Sequence, residues 1–307
     1  MMIDAHMHLI EHINTFCGKG EGRPIGSGKI RIATGEEVQL IPKGMGEYGY
    51  TGESCILLMD QHKVELSVLL QSGFYGFQNE YVMEMAKKYP GRFYPVAGLD
   101  PYCNEKTKIL DNFVNNWGFR ALKFEISQSA GITSYHSGFR VDGPEMLEIY
   151  EIARQNNMTI AFDVGGPGQE SYQIKSWRWV FDQYKDVRFV ICHLLAPRMR
   201  NQPNWEGEIK MLATENAWFD FAALSYNISE AYPYPVSIEH VERVARIAGS
   251  DRLIWGSDCP FVLSYDSYEH LMSYIRHSKA FTETEIENML GNNAIVAYNI
   301  PVHNNGG

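Results

Sequence analysis

Apolar residues along this chain gather in short runs, separated by longer stretches in which they recur every three or four positions. The runs fall at Met2–Ala5, Leu66–Gln71, Phe93–Leu99, Phe119–Glu125, Thr159–Val164, Val187–Cys192, Ala217–Phe221 and Arg252–Gly256. From the second run onward their starts lie 27, 26, 40, 28, 30 and 35 residues apart. A strand plus its crossover helix takes about 30 residues, so the rhythm is that of repeated βα units. Ser67-Val68-Leu69-Leu70 and Phe189-Val190-Ile191-Cys192 are apolar at successive positions, as parallel strands covered on both faces must be. Between the runs, Asn79–Lys88, Glu105–Asn116 and Ile238–Ala248 are amphipathic. Asp142-Gly143-Pro144-Glu145 and Thr282-Glu283-Thr284-Glu285 carry helix-start signals. Eight strands in unbroken alternation with helices predict one α/β domain over residues 1–307, a closed (β/α)8 TIM barrel.

One segment breaks the rhythm. Residues 11–52 are rich in glycine and polar residues and carry none of these runs. They predict a long loop after the first strand. Because it leaves the strand end where barrel enzymes build their sites, the expectation is a loop that covers substrate. Gly22–Lys29 superficially resembles a phosphate-binding loop, but Ile30 stands where Ser or Thr is required.

Composition narrows the chemistry. The 307 residues are 45% hydrophobic and 21% charged, with a net charge of −10. That excess of acid disfavours nucleic acid and anionic membranes as partners. No stretch approaches the roughly 20 apolar residues of a membrane span. The five cysteines are scattered without a C-x-x-C pair, so neither a disulfide framework nor a zinc finger is indicated. These features predict a cytoplasmic protein acting on a small molecule.

The candidate chemistry lies at strand ends. In Asp4-Ala5-His6-Met7-His8 the two histidines are two residues apart, so on a strand they share a face and present half of a divalent metal site. His193 directly follows the run Val187–Cys192, and Asp258 follows the eighth run. Asp258 could ligate a metal and take a proton from water, or merely cap the next turn. Lys123 and Glu125 share a face at the end of the fourth strand, as substrate or metal contacts or as a buried ion pair. Arg198 could steer an anionic substrate or sit solvated at the surface. His12, His62, His136, His240, His270, His277 and His303 lie off the strand ends and read as structural or exposed.

Taken together, these motifs resemble the amidohydrolase superfamily. The similar branch is that of small barrels holding aminocarboxymuconate-semialdehyde decarboxylase, aromatic-acid decarboxylases, and sugar and dicarboxylate lactonases. The resemblance also runs through Val68-Leu69-Leu70-Gln71, Arg92–Pro101, Gly118–Lys123, Cys192–Pro197 and Gly256–Phe261. It implies that His6, His8 and Asp258 hold a divalent ion, zinc or manganese, and that His193 polarises the substrate or joins the ligands. Where metal-using members carry a histidine at the end of strand five, this chain departs with Asp163, which can ligate zinc or manganese through oxygen or, equally, leave a weak metal site or none. The implied activity is metal-dependent hydrolysis of a small lactone or other cyclic or carboxylated compound. Non-oxidative decarboxylation of an aromatic or unsaturated acid is the alternative, and a non-catalytic binding barrel the second. A homodimer is the family's habit.

Overall fold

The structure, a computed structural model, describes residues 1–301; His303 lies outside them. Twelve strands are found: β1 (Ile3–Met7), β2 (Thr15–Cys17), β3 (Gly20–Gly26), β4 (Lys29–Ile32), β5 (Glu37–Gln39), β6 (Leu66–Leu69), β7 (Phe93–Pro95), β8 (Ala121–Glu125), β9 (Thr159–Asp163), β10 (Arg188–Ile191), β11 (Ala217–Asp220) and β12 (Leu253–Ile254). The helices are α1 (Gly52–His62), α2 (Asn79–Lys88), α3 (Lys106–Asp111), α4 (Pro144–Gln155), α5 (Ile174–Gln183), α6 (Trp205–Leu212), α7 (Leu224–Ile228), α8 (Pro235–Ala248), α9 (Tyr268–Ser273), α10 (Glu283–Glu287) and α11 (Asn293–Tyr298).

Parallel ladders run β1-β6-β7 and β8-β9-β10-β11-β12. Two further parallel bridges, Ala97↔Leu122 and Met7↔Cys259, join them into a ring. The predicted barrel is therefore present. Period-two alternation sorts each strand between two cores. Ala121, Ala161, Val190, Trp218 and Ile254 belong to the cluster inside the barrel. Leu122, Phe162, Phe189 and Phe219 belong to the larger one between the strands and the helices. Ala297 and Tyr298 of α11 join the inner cluster, and their carbonyls accept from Thr159 Oγ1 (2.8 Å) and Tyr94 OH (2.7 Å). The last helix thus stoppers the end of the barrel away from the histidines.

Residues 11–52 are not the loop expected from their glycines. They fold as a four-stranded antiparallel sheet, β2-β3-β4-β5. Lys29-Ile30-Arg31-Ile32 alternates exposed and buried, and Ile30 and Ile32 enter the outer core. The sheet is tied to the barrel loops by Asn14 N–H to Tyr75 O (2.9 Å) and Gly18 N–H to Ser134 Oγ (3.0 Å). The Thr282–Glu285 capping box forms as predicted. Asp142 does not cap α4, because Gly143 holds that position and the Asp142 carboxylate is taken by Arg140 at 2.9 Å.

The ring closes where β1 meets residues 255–259. Ala5 N–H donates to Trp255 O (3.1 Å), Asp258 N–H to His6 O (2.8 Å) and His8 N–H to Cys259 O (2.9 Å). Beneath this seam lies Asp4, fully buried. One carboxylate oxygen accepts from the N–H groups of His6 (3.1 Å) and Ser257 (2.9 Å), and the other accepts from the Tyr268 hydroxyl (2.7 Å). Gly256 permits the close approach, since a Cβ there would sit 2.4 Å from that of His6.

Burial lifts the Asp4 pKa to about 6, above its ordinary 3.8, although its donors pull the other way. Raised acids stabilise the fold while protonated, and that contribution fades as pH climbs through the folded value. Asp4→Asn, which stays neutral, should therefore trail the wild type most below about pH 4, and the gap should shrink by about 3 kcal/mol by pH 7–8. Asp4→Ala, which orphans three buried donors, should cost about 2–4 kcal/mol throughout. Urea unfolding across pH measures both.

Candidate functional site

Each strand end delivers its side chain through a local device. His6 lies in β1 and His8 just after it, and both are buried. Their Nδ1 atoms are committed: His6 Nδ1 donates to Asp220 Oδ2 (2.5 Å) and His8 Nδ1 to Leu70 O (2.9 Å). A carbonyl or carboxylate oxygen can only accept, so the proton is on Nδ1 in both rings. Their Nε2 atoms then face Asp258 Oδ1, at 3.5 Å from His6 and 3.1 Å from His8. His193 is built likewise. Its Nδ1 donates to Ala222 O (2.9 Å), and its Nε2 lies 3.4 Å from Asp163 Oδ2. A left-handed run, φ 59°, 49°, 64° and 45° over His193–Ala196, turns the chain sharply at the end of β10. Strained backbone of this kind costs about 1–3 kcal/mol per residue and persists only where surrounding structure imposes it.

The electrostatics follow from burial and proximity. Burial alone would raise the Asp258 pKa, but His6, His8 and His193 outweigh it and hold the carboxyl at about 2. Burial lowers the pKa of His8, leaving it neutral near pH 7 despite Asp258. A neutral His8 with its proton on Nδ1 aims a bare Nε2 lone pair at an ionised carboxylate. Two acceptors facing each other in a buried site are satisfied by a cation between them. One nitrogen of His6, one of His8 and one Asp258 oxygen lie within 4.8 Å of one another; a second such group joins His6, His193 and Asp220. The donor set therefore suits a divalent ion.

Asp163 departs from expectation. Among the described residues it belongs to neither metal-compatible group. Its Oδ1 accepts from Gly165 N–H (2.9 Å) and its Oδ2 faces His193, so both oxygens of this short side chain already have partners. Burial disfavours its charge, yet His193 holds its pKa well below the usual range. The reciprocal pull overcomes burial at His193 and lifts it to about 10. Glu125 stands opposite Asp163 in the β8–β9 register. Burial, reinforced by Asp163, raises the Glu125 pKa above the carboxylate range.

All of these side chains except Asp220 line one cavity of about 620 Å³ at the C-terminal end of the barrel strands, within the size range of small-molecule sites. Cys17, Lys19 and Glu36 of the small sheet line it on another side, and Phe74 and Tyr75 supply an aromatic wall. The Tyr75 ring lies 5.1 Å from that of His8. A groove of about 750 Å³ beside Met1, Lys63 and Arg92 lies at the opposite end of the strands and holds none of these groups. Arg198, expected to meet substrate, does not line the cavity. It is exposed, and its guanidinium lies against the loop after β9, where a Cβ on Gly166 would be 3.3 Å from it.

Asp220 was not foreseen. Besides orienting His6, it accepts from Ala222 N–H (2.6 Å), and His6 keeps its pKa low against burial. The available signal was a carboxylate on the inner face of an otherwise apolar strand, two residues beyond Trp218.

Solved structures share this architecture. A probable 2-pyrone-4,6-dicarboxylic acid hydrolase from Acinetobacter baumannii, with citric acid bound, superposes with a TM-score of 0.68 at 17% identity, covering 97% of this chain and 99% of that one. An amidohydrolase from Burkholderia multivorans with bound zinc gives 0.69 at 14%, covering 98% of this chain and 100% of that one. The 5-carboxyvanillate decarboxylase from Sphingomonas paucimobilis gives 0.57 at 13%, covering 80% and 82%. At these identities the likeness is one of fold. No curated protein sequence matches the chain. The sequence model described as "Amidohydrolase" matches residues 3–300, and by that match over nearly its whole length the chain belongs to the amidohydrolase family.

Proposed function

We propose that this chain is a metal-dependent hydrolase that opens a small lactone or a related cyclic ester. The observation that carries the reading is the orientation of His6 and His8, whose Nδ1 atoms are locked by donation so that both Nε2 atoms converge on Asp258. Members of this family typically use a metal ion, and two imidazoles with one carboxylate suit zinc. The zinc held by the Burkholderia multivorans relative supports the same assignment. When bound, such an ion supplies Lewis-acid activation of water near neutral pH.

The remaining work falls to the chain's own residues. Asp258, ionised because its pKa is held at about 2, accepts the proton that the attacking water gives up. His193, charged through its partnership with Asp163, donates from Nε2 to the substrate carbonyl oxygen as negative charge builds there. Asp163 is thus assigned to holding that imidazolium, and Asp220 to holding His6 in its working tautomer. The small sheet β2–β5 covers the substrate and keeps bulk water from it.

Three outcomes are expected. Metal analysis should find about one ion per chain, lost together with activity in the His6→Ala/His8→Ala double variant. Asp220→Ala should retain the fold but weaken metal affinity about 10–100-fold, as measured by competition with a chelator; unchanged affinity would remove Asp220 from the account. Reaction in ¹⁸O-water should place label in the product carboxylate. An unlabelled product accompanied by CO₂ would make the enzyme a decarboxylase instead.

A further inference from the structure

We propose that Lys123 anchors a single substrate carboxylate, so that the cyclic ester opened here is a monoacid and not a diacid. This deepens the hydrolase reading and rests on it. The Lys123 side chain is only 1% exposed, yet it lines the cavity. Among the described residues its ammonium makes no hydrogen bond. The one carboxylate oxygen within ion-pair range, Glu125 Oε2, is 3.8 Å away, beyond hydrogen-bond reach. An ammonium has three donors to satisfy, and with no acceptor supplied by the described residues within hydrogen-bond reach they are open to an anion entering the cavity.

The charge of Lys123 is nevertheless secure. Burial opposes it, but Cys192, Glu125, Asp163 and Asp258 together hold its pKa above the ordinary lysine value. Hydroxyl groups suited to a carboxylate stand close along the same strand and its loop: Ser127 and Ser129 both line the cavity, with their oxygens 3.4 Å apart.

Among the described lysines and arginines that line the cavity, Lys123 alone is left without a close carboxylate partner. No arginine lines it among the described residues. The other lysine, Lys19, is engaged by Glu36 at 2.6 Å. A second carboxylate would therefore find no unpaired lysine or arginine, because Lys19 is held by Glu36 and the imidazolium of His193 by Asp163. The specificity implied differs from that of the dicarboxylic acid hydrolase which this fold resembles.

The test uses the zinc-loaded protein with three furan probes: 2-furoate, its neutral amide, and furan-2,5-dicarboxylate. Calorimetry should show 2-furoate binding at least about 10-fold more tightly than either of the others, the strength of a charge-assisted contact. Lys123→Met and Lys123→Gln should erase that preference while leaving metal content unchanged. Equal affinity for acid and amide in the wild type, or an undiminished preference in a folded variant, overturns the proposal. A crystal of the wild type soaked with 2-furoate gives an answer that needs no variant. Its carboxylate should lie about 3 Å from Lys123 Nζ, and a carboxylate on the zinc or outside the cavity overturns the anchor. Because these readouts measure binding, they stand apart from the isotope test. Label incorporation without furoate at Lys123 defeats only the anchor, whereas furoate at Lys123 without label defeats only hydrolysis.

Discussion

The seam between β1 and residues 255–259 is the constraint on which the rest depends. His6 and His8 lie at the start of the chain and Asp258 some 250 residues later; only closure of the ring brings them together. The three backbone hydrogen bonds across the seam have His6, His8 and Asp258 themselves among their partners. The contacts that shut the barrel are therefore the contacts that bring together the proposed ligands. Asp4 reinforces this from below, binding one segment through His6 N–H and the other through Ser257 N–H. A buried carboxyl with a raised pKa is an expensive fastener, and its place beneath the site accounts for it: it fixes backbone geometry where small displacements would matter most.

Above the seam, one design recurs. Three histidines donate Nδ1–H to Asp220, Leu70 and Ala222 and turn Nε2 inward. Leu70 and Ala222 come from the adjacent strand ends and Asp220 from the second strand over, so the barrel orients every imidazole twice, through its own backbone and through another strand. His6 and His8 are thereby arranged around Asp258, and His193 toward Asp163. That partition separates the group suited to a cation from a group suited to donating a proton, within a single cavity.

The eight-strand rhythm was legible because barrel strands are covered on both faces, so their apolar runs are continuous and stand out from the helices. His6, His8, His193 and Asp258 were legible because each stands at or just beyond such a run. The small sheet was hidden by its glycines and by strands of only three to seven residues, although Lys29-Ile30-Arg31-Ile32 carried the alternation. The partnership of Asp163 with His193 could not be read locally, since it depends on where two side chains reach across adjacent strands. Asp220 escaped for the opposite reason: its strand was recognised, but the carboxylate within it was taken as part of an apolar run. Of the two readings left open for Arg198, a solvated surface arginine matches its exposure; the left-handed turn of non-glycine residues before it has no signature in composition or periodicity.

The central claim is that a closed barrel has gathered the two ends of its chain around one divalent ion. Anomalous diffraction at the zinc edge, from crystals of zinc-loaded protein, tests it most directly. The account predicts one dominant peak about 2.0–2.2 Å from His6 Nε2, His8 Nε2 and an Asp258 carboxylate oxygen. An empty site among these three side chains, with zinc bound elsewhere on the molecule or not at all, would contradict it.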